Sequence, residues 1–166
     1  MNRRTFLLAS GAAVTGLATA FSVRRMNAVG EAKAETFEVT KTEAEWRVIL
    51  SDAQFAVLRT EATERPGSSP LLDEKRKGLF HCAGCDLPVY SSETKYESGT
   101  GWPSFWDSLP NAVGKKQDNS LFMTRTECHC RRCGGHFGHI FDDGPPPTGM
   151  RHCINGLALT FKPATA

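Results

Sequence analysis

Two Cys-x-x-Cys pairs, Cys82-Ala83-Gly84-Cys85 and Cys130-Arg131-Arg132-Cys133, stand 44 residues apart in a chain of 166. Each pair is a knuckle able to present two thiolates to one ion. Two knuckles complete a tetrahedron and leave no open position, as in a structural Zn2+ centre. Such a centre ties two distant segments together, so any fold must bring residue 82 beside residue 130. Two disulfides, or a redox-active pair, are the competing readings. No thioredoxin-like βαβ pattern surrounds either pair, which favours zinc. Gly84 and the Gly134-Gly135 pair are expected to relax the tight turn of each knuckle.

The pattern around the knuckles is that of short strands. Beyond Leu79, apolar runs alternate with turn residues at close spacing: Leu79–Cys82, Leu87–Ser91, Leu121–Cys130 and Arg151–Phe161. No long helical period intervenes, which predicts an antiparallel β domain. Two helices precede it. Thr42-Glu43-Ala44-Glu45 has the form of a capping box and places Trp46, Ile49 and Leu50 on one face. Ser51-Asp52-Ala53-Gln54 repeats the signal ahead of Phe55 and Leu58. Residues 63–77 are polar and rich in Pro, Gly and Ser, a loop. Residues 142–149 form a second, stiff loop that delivers the chain into the last strand.

Charge is unevenly spread. Residues 1–34 hold five of the 20 Lys/Arg and one of the 18 Asp/Glu, leaving 15 basic and 17 acidic residues beyond them. A slightly acidic body is a poor match for nucleic acid or anionic lipid. The basic excess lies in Arg3-Arg4, an uncharged stretch from Phe6 to Val23, and Arg24-Arg25, with small-x-small sites at Ala18-Thr19-Ala20 and Ala32-Lys33-Ala34. This arrangement resembles a twin-arginine export signal. Cleavage is expected after Ala34, releasing residues 35–166 into the periplasm without stable membrane association. A retained membrane anchor is the alternative, since 18 uncharged residues nearly span a bilayer. Export of an already folded chain would suit a protein that loads metal on reduced cysteines.

Two cysteines remain. Cys153 sits in Arg151-His152-Cys153-Ile154-Asn155, where a strand places Arg151, Cys153 and Asn155 on one face. A nearby guanidinium favours the thiolate; the bland alternative is a buried structural cysteine. His136 and His139 would point to opposite faces of a regular strand, unless Gly138 permits a bulge that brings them together. Gly99-Thr100-Gly101-Trp102-Pro103-Ser104-Phe105-Trp106 is a rigid aromatic segment, which taken alone reads as core more readily than as pocket.

In combination these motifs resemble the peptide-methionine (R)-S-oxide reductases. The likeness rests on Cys82–Cys85, Ser98-Gly99-Thr100-Gly101-Trp102-Pro103-Ser104-Phe105, His136-Phe137-Gly138-His139-Ile140-Phe141 and Arg151–Asn155, in that order. Glu43-Ala44-Glu45-Trp46-Arg47 and Thr63-Glu64-Arg65-Pro66 match the family's opening segment, so the likeness covers about residues 40–162. The resemblance implies a mainly β fold of two antiparallel sheets with short N-terminal helices and a four-cysteine zinc site. It also implies that Cys153 is the nucleophile, that His136 and His139 line its pocket, and that Trp102 receives the substrate methyl. Asp143, Arg151 and Asn155 would form the polar shell.

The chemistry agrees with that assignment. A sulfoxide sulfur is a weak electrophile until its oxygen is protonated, so a thiolate is needed on one side and an acid on the other. Cys153 supplies the first and a protonated His139 the second. His136 and Asn155 would hold the oxygen and the imidazole in place. Methionine leaves reduced and Cys153 becomes a sulfenic acid.

One departure stands out. Many family members carry a resolving cysteine where this chain has Thr100. Cys128 is the only thiol outside the knuckles and the nucleophile, and is the candidate for an internal resolving role. The favoured route is instead an external thiol donor, a thioredoxin-like reductant. Two other classes compete with this enzyme: a non-catalytic zinc-ribbon binding module and a thiol–disulfide exchange protein. The acidic mature chain argues against the first, which also leaves Cys153 and its neighbours unexplained; the second would use Cys153 as its redox centre and predicts activity on disulfides with no preference for sulfoxide handedness. Nothing in the sequence argues for an oligomer, so a monomer is the default.

Overall fold

The computed structural model describes residues 36–120 and 123–165. The expected export signal, with its cleavage site after Ala34, lies outside the described residues. Two helices open the fold, α1 (Glu43–Ile49) and α2 (Asp52–Thr60). Both begin on capping boxes. The Thr42 and Ser51 hydroxyls accept from the N–H groups of Glu45 and Gln54, whose side chains bond back to the cap N–H. Trp46 and Leu50 are buried as expected. Ile49 is instead half exposed, because α1 is only seven residues long and packs by a narrow stripe. Helix α2 buries Phe55, Val57 and Leu58.

Among the described residues nine strands follow: β1 (Gly78–Cys82), β2 (Pro88–Ser91), β3 (Lys95–Tyr96), β4 (Ser104–Phe105), β5 (Val113–Asp118), β6 (Arg125–Cys130), β7 (His136–Phe141), β8 (Arg151–Ile154) and β9 (Leu159–Pro163). They form two antiparallel sheets, one in the order β2-β1-β9 and one in the order β3-β4-β8-β7-β6-β5. Aromatic rings join the sheets. Tyr90 of β2 stacks on Phe105 of β4 with ring centroids 4.3 Å apart, and Phe80 of β1 meets Phe105 edge-on at 5.0 Å. All three rings are fully buried, as are Val89, Phe137 and Ile154.

Two sequence expectations need correction. The run Arg151–Phe161 is not one strand. It divides into β8 and β9, which belong to different sheets, around a 3-10 turn at Gly156–Ala158. The cause is Glu64, a buried carboxylate that accepts the N–H groups of Gly156 and Leu157 and turns the chain out of the larger sheet. A Cβ on Gly156 would collide with the Ser69 side chain, so the turn accepts no larger residue. The run expected from Leu121 is strand only from Arg125; residues 121 and 122 lie outside the described residues. The loop over 142–149 delivers the chain into β8, closed by a Gly144 N–H to Gly149 carbonyl bond of 2.8 Å.

Candidate active site and four-cysteine centre

The two knuckles are built alike. In each, the residue after the second cysteine adopts a left-handed conformation and returns its N–H to the carbonyl of the first cysteine. Asp86 (φ 60°) bonds Cys82 at 2.9 Å, and Gly134 (φ 67°) bonds Cys130 at 2.8 Å. Gly134 therefore has the role expected of it. In the first knuckle that role falls to Asp86 rather than Gly84. Asp86 offsets the left-handed strain with an ion pair to Lys162 at 2.6 Å and a contact with His81 at 3.2 Å.

The four sulfurs of Cys82, Cys85, Cys130 and Cys133 lie within 4.8 Å of one another. The Cys82–Cys133 separation is 3.7 Å and the Cys85–Cys130 separation 3.5 Å. A tetrahedral ion with metal–sulfur bonds of about 2.3 Å would set its ligands about 3.8 Å apart, so the residues fit such an ion. Four thiolates this close would repel without a cation between them. Positive groups also brace the outer shell: Arg59 Nη1 donates to the Cys133 carbonyl at 3.0 Å and Arg132 Nη1 to the Cys85 carbonyl at 3.4 Å.

The second constellation is organised by strand register. Ser104 of β4, Cys153 of β8, His139 of β7, Glu127 of β6 and Lys116 of β5 are successive partners across five strands. Register partners share a face, so these five side chains form one row. The neighbouring row, Phe105, His152 and Ile140, faces the aromatic core instead.

His136 joins the row through the bulge anticipated at Gly138. The β6–β7 register shifts between Cys128 and His129, opposite residues 136–138, and the His136 and His139 rings meet at 5.6 Å. Only glycine serves at 138. Its φ is 154°, and a Cβ there would strike the Cys153 carbonyl oxygen.

Each histidine has a carboxylate. His139 Nε2 lies 2.8 Å from Asp118, which also pairs with Arg125 at 2.6 Å. His136 Nδ1 lies 2.8 Å from Glu127, which pairs with Lys116 at 2.8 Å. Burial holds the His139 imidazole below its ordinary range despite Asp118. Burial also pushes the Glu127 carboxyl up, but the bonds to His136 and Lys116 outweigh it, leaving a pKa of about 2. These four partners were not read from the sequence. Glu127, a carboxylate directly ahead of Cys128-His129-Cys130, was the one available signal.

Trp102, His139, Cys153 and Asn155 line one open pocket, together with Thr63 and Phe141. Trp102 is fixed by its indole N–H, which donates to the Glu64 carbonyl at 3.1 Å. Asn155 is buried, and its amide is committed to backbone. It donates to the Phe137 carbonyl at 2.9 Å and accepts the Glu64 N–H at 2.9 Å. Its side chain thus holds the pocket walls rather than an imidazole. Arg151 pairs with Asp143 through two bonds of 2.8 Å and lies over the Phe141 ring at 4.4 Å. Burial pushes the Cys153 thiol up, while the Thr100 hydroxyl and the Arg151 guanidinium pull it down.

Cys128, weighed as an internal resolving thiol, is on the wrong side of the sheet. It is fully buried in the core, its register partner is Gly138, and its sulfur lies 3.3 Å from the Tyr90 hydroxyl, which also meets His152. His152 and Cys153 point to opposite faces, so the sheet separates Cys128 from Cys153. Burial pushes the Cys128 thiol up to about 12.

A two-sheet β domain that holds a four-cysteine centre apart from a thiol–imidazole pocket defines a recognisable class, the SelR domain, whose family model matches residues 50–163. "Peptide methionine sulfoxide reductase MsrB" of Agrobacterium fabrum is 47% identical over 127 residues, 76% of this chain and 94% of the relative. The proteins of that name from Methanosarcina barkeri and Pseudomonas putida are 52% and 48% identical, over 75% and 76% of this chain and 88% and 96% of their own. The chain belongs to the peptide methionine (R)-sulfoxide reductase family.

Proposed function

We propose that the protein reduces peptide-bound methionine (R)-sulfoxide to methionine, with Cys153 as nucleophile. The observation that carries this reading is the pairing of Cys153 with His139 across β7 and β8, in a pocket walled by Trp102. Side chains paired this way sit about 5 Å apart, room for one sulfoxide S=O between a nucleophile and a proton donor. The raised thiol and lowered imidazole mean that the free pocket rests as a neutral pair. Substrate oxygen entering between them draws the proton from Cys153 through His139. The sulfur lone pair of Cys153 attacks the substrate sulfur, the S–O bond breaks, and oxygen passes to Cys153. Methionine gains the two electrons that Cys153 loses, and thiol plus sulfoxide become sulfenic acid plus thioether. Trp102 takes the methyl while His139 takes the oxygen, which fixes handedness at sulfur.

The sulfenic acid is reduced by an external, thioredoxin-like thiol, since Thr100 stands where an internal partner would and Cys128 is buried behind the sheet. The metal at the four-cysteine centre is zinc, because four thiolates suit that ion and ask no redox chemistry of it. Its role would be to clamp the β1–β2 turn to the β6–β7 turn. The Arg3-Arg4 segment supports export, and so repair of exported proteins in the periplasm. The test is a reductase assay on each epimer of peptide-bound methionine sulfoxide, with dithiothreitol as donor. Reduction of the R epimer alone, lost in Cys153→Ser, supports the reading. No turnover of either epimer by metal-loaded protein overturns it.

A further inference from the structure

A chain of three hydroxyl groups runs away from the Cys153 sulfur on the side opposite His139. Thr100 Oγ1 lies 3.9 Å from Cys153 Sγ, Ser98 Oγ lies 2.9 Å from Thr100 Oγ1, and Ser104 Oγ lies 2.7 Å from Ser98 Oγ. The chain ends on the Trp102 carbonyl, which accepts from Ser104 at 3.2 Å. Ser104 is fully buried, and its place beside Cys153 is set by β4–β8 register.

We propose that Thr100 is a catalytic hydrogen-bond donor to the Cys153 sulfur, and that Ser98 and Ser104 are positioning residues that set the direction of its hydroxyl proton. The inference rests on the reading of Cys153 as the nucleophile.

The reasoning is a count of protons. Each hydroxyl owns one and can accept others. With Cys153 protonated, the thiol donates to Thr100, Thr100 to Ser98, Ser98 to Ser104, and Ser104 to the Trp102 carbonyl. With Cys153 ionised, the order reverses. Ser104 turns from the carbonyl to Ser98, Ser98 donates to Thr100, and Thr100 donates to the sulfur. No bond is made or broken; three rotors turn. A charged acceptor draws the donor in and makes the stronger bond, which shortens the 3.9 Å contact seen here. The same donor serves the sulfenate oxygen after attack.

The charged groups around Cys153 are each engaged by another partner. Arg151 on the same strand is tied to Asp143 by two bonds. His139 on β7 is tied to Asp118, and Arg125 at the pocket edge is tied to the same carboxylate. Tyr96 on β3 stays neutral, with burial raising its pKa. Arg151 also reaches the sulfur, but it shares its guanidinium with Asp143, whereas the Thr100 hydroxyl bonds the sulfur with no carboxylate competing for it.

The experiment is the pH dependence of Cys153 alkylation by iodoacetamide in metal-loaded protein, followed by mass on the Cys153 peptide, without sulfoxide. Thr100→Val keeps the shape and removes the donor. It is expected to raise the midpoint by about one unit, slowing alkylation about tenfold below it. Thr100→Ser is expected to keep the midpoint of the unaltered protein. Ser98→Ala and Ser104→Ala are expected to slow alkylation about threefold, since Thr100 then donates without a directing partner. An unchanged midpoint in Thr100→Val overturns the proposal, as does an equal shift in Thr100→Val and Thr100→Ser, which would mark an effect of shape alone. Because this readout needs no turnover, it is independent of the epimer assay. Reductase activity that survives Cys153→Ser would defeat the functional reading while leaving the alkylation result standing.

Discussion

Cys153 and His139 are direct partners across the β8–β7 ladder, and their side chains enter the pocket from the same face of the sheet. Neither strand alone makes a site. The ladder sets a thiol beside an imidazole and continues the row through Ser104 on one side and Glu127 on the other. The backbone register, which the core fixes, therefore positions the chemistry.

His139 depends on Asp118 for its charged form, because burial opposes that form and the 2.8 Å contact favours it. Asp118→Asn should lower kcat/KM about tenfold or more and move the acid limb of the pH profile, which His139 sets in a pocket that rests as a neutral pair, down by about one unit. The measurement is kcat/KM from pH 5 to 10 for both proteins, with the R epimer.

Much of the fold was legible before the structure. Both capping boxes announced their helices, and the knuckles announced which segments meet. The carboxylate partners were not legible. Strand β5, Val-Gly-Lys-Lys-Gln-Asp, lies at the sheet edge and lacks the apolar alternation that marks a half-buried strand. Its Asp118 and Lys116 gain their roles only from register with β6. Likewise the break after Ile154 depends on Glu64, which is 92 residues away from Gly156 in sequence. The position of Cys128 behind the sheet followed from parity. It lies an odd number of residues from Glu127, and Glu127 shares the face of Cys153.

The Glu127 carboxyl has a pKa of about 2 in the fold, against about 4.3 in an unfolded chain. A carboxylate with a lowered pKa contributes stability above its unfolded value and loses it as pH falls toward the folded value. Glu127 should therefore add about 2–3 kcal/mol at pH 6, a contribution that fades between about pH 4.5 and 2. Urea unfolding of Glu127→Gln against the unaltered protein, at pH 6 and at pH 3, should show a gap that narrows as the pH falls.

Metal at the four-cysteine centre should hold the two knuckles together, with one zinc per chain bound by Cys82, Cys85, Cys130 and Cys133. Removal by chelator, or Cys85→Ser, should lower Tm by about 10 °C or more. Elemental analysis and thermal unfolding with and without chelator check both parts. A metal-free protein with unchanged Tm would contradict the clamp.

Thr100→Cys would put a thiol where the hydroxyl lies, 3.9 Å from the Cys153 sulfur. After turnover without external thiol, that variant should carry a disulfide between positions 100 and 153, a mass loss of two hydrogens on the joined peptides. The unaltered protein should show none involving Cys128, which the sheet holds apart from Cys153.

The most direct test is a single turnover without reductant. Metal-loaded protein is mixed with excess peptide-bound methionine (R)-sulfoxide, then treated with a sulfenic-acid trap and mapped by mass. One methionine should form per chain, with the trap on Cys153 and no other cysteine. Methionine formed without modification of Cys153, or a trapped sulfenic acid on Cys128, would contradict the assignment of the nucleophile.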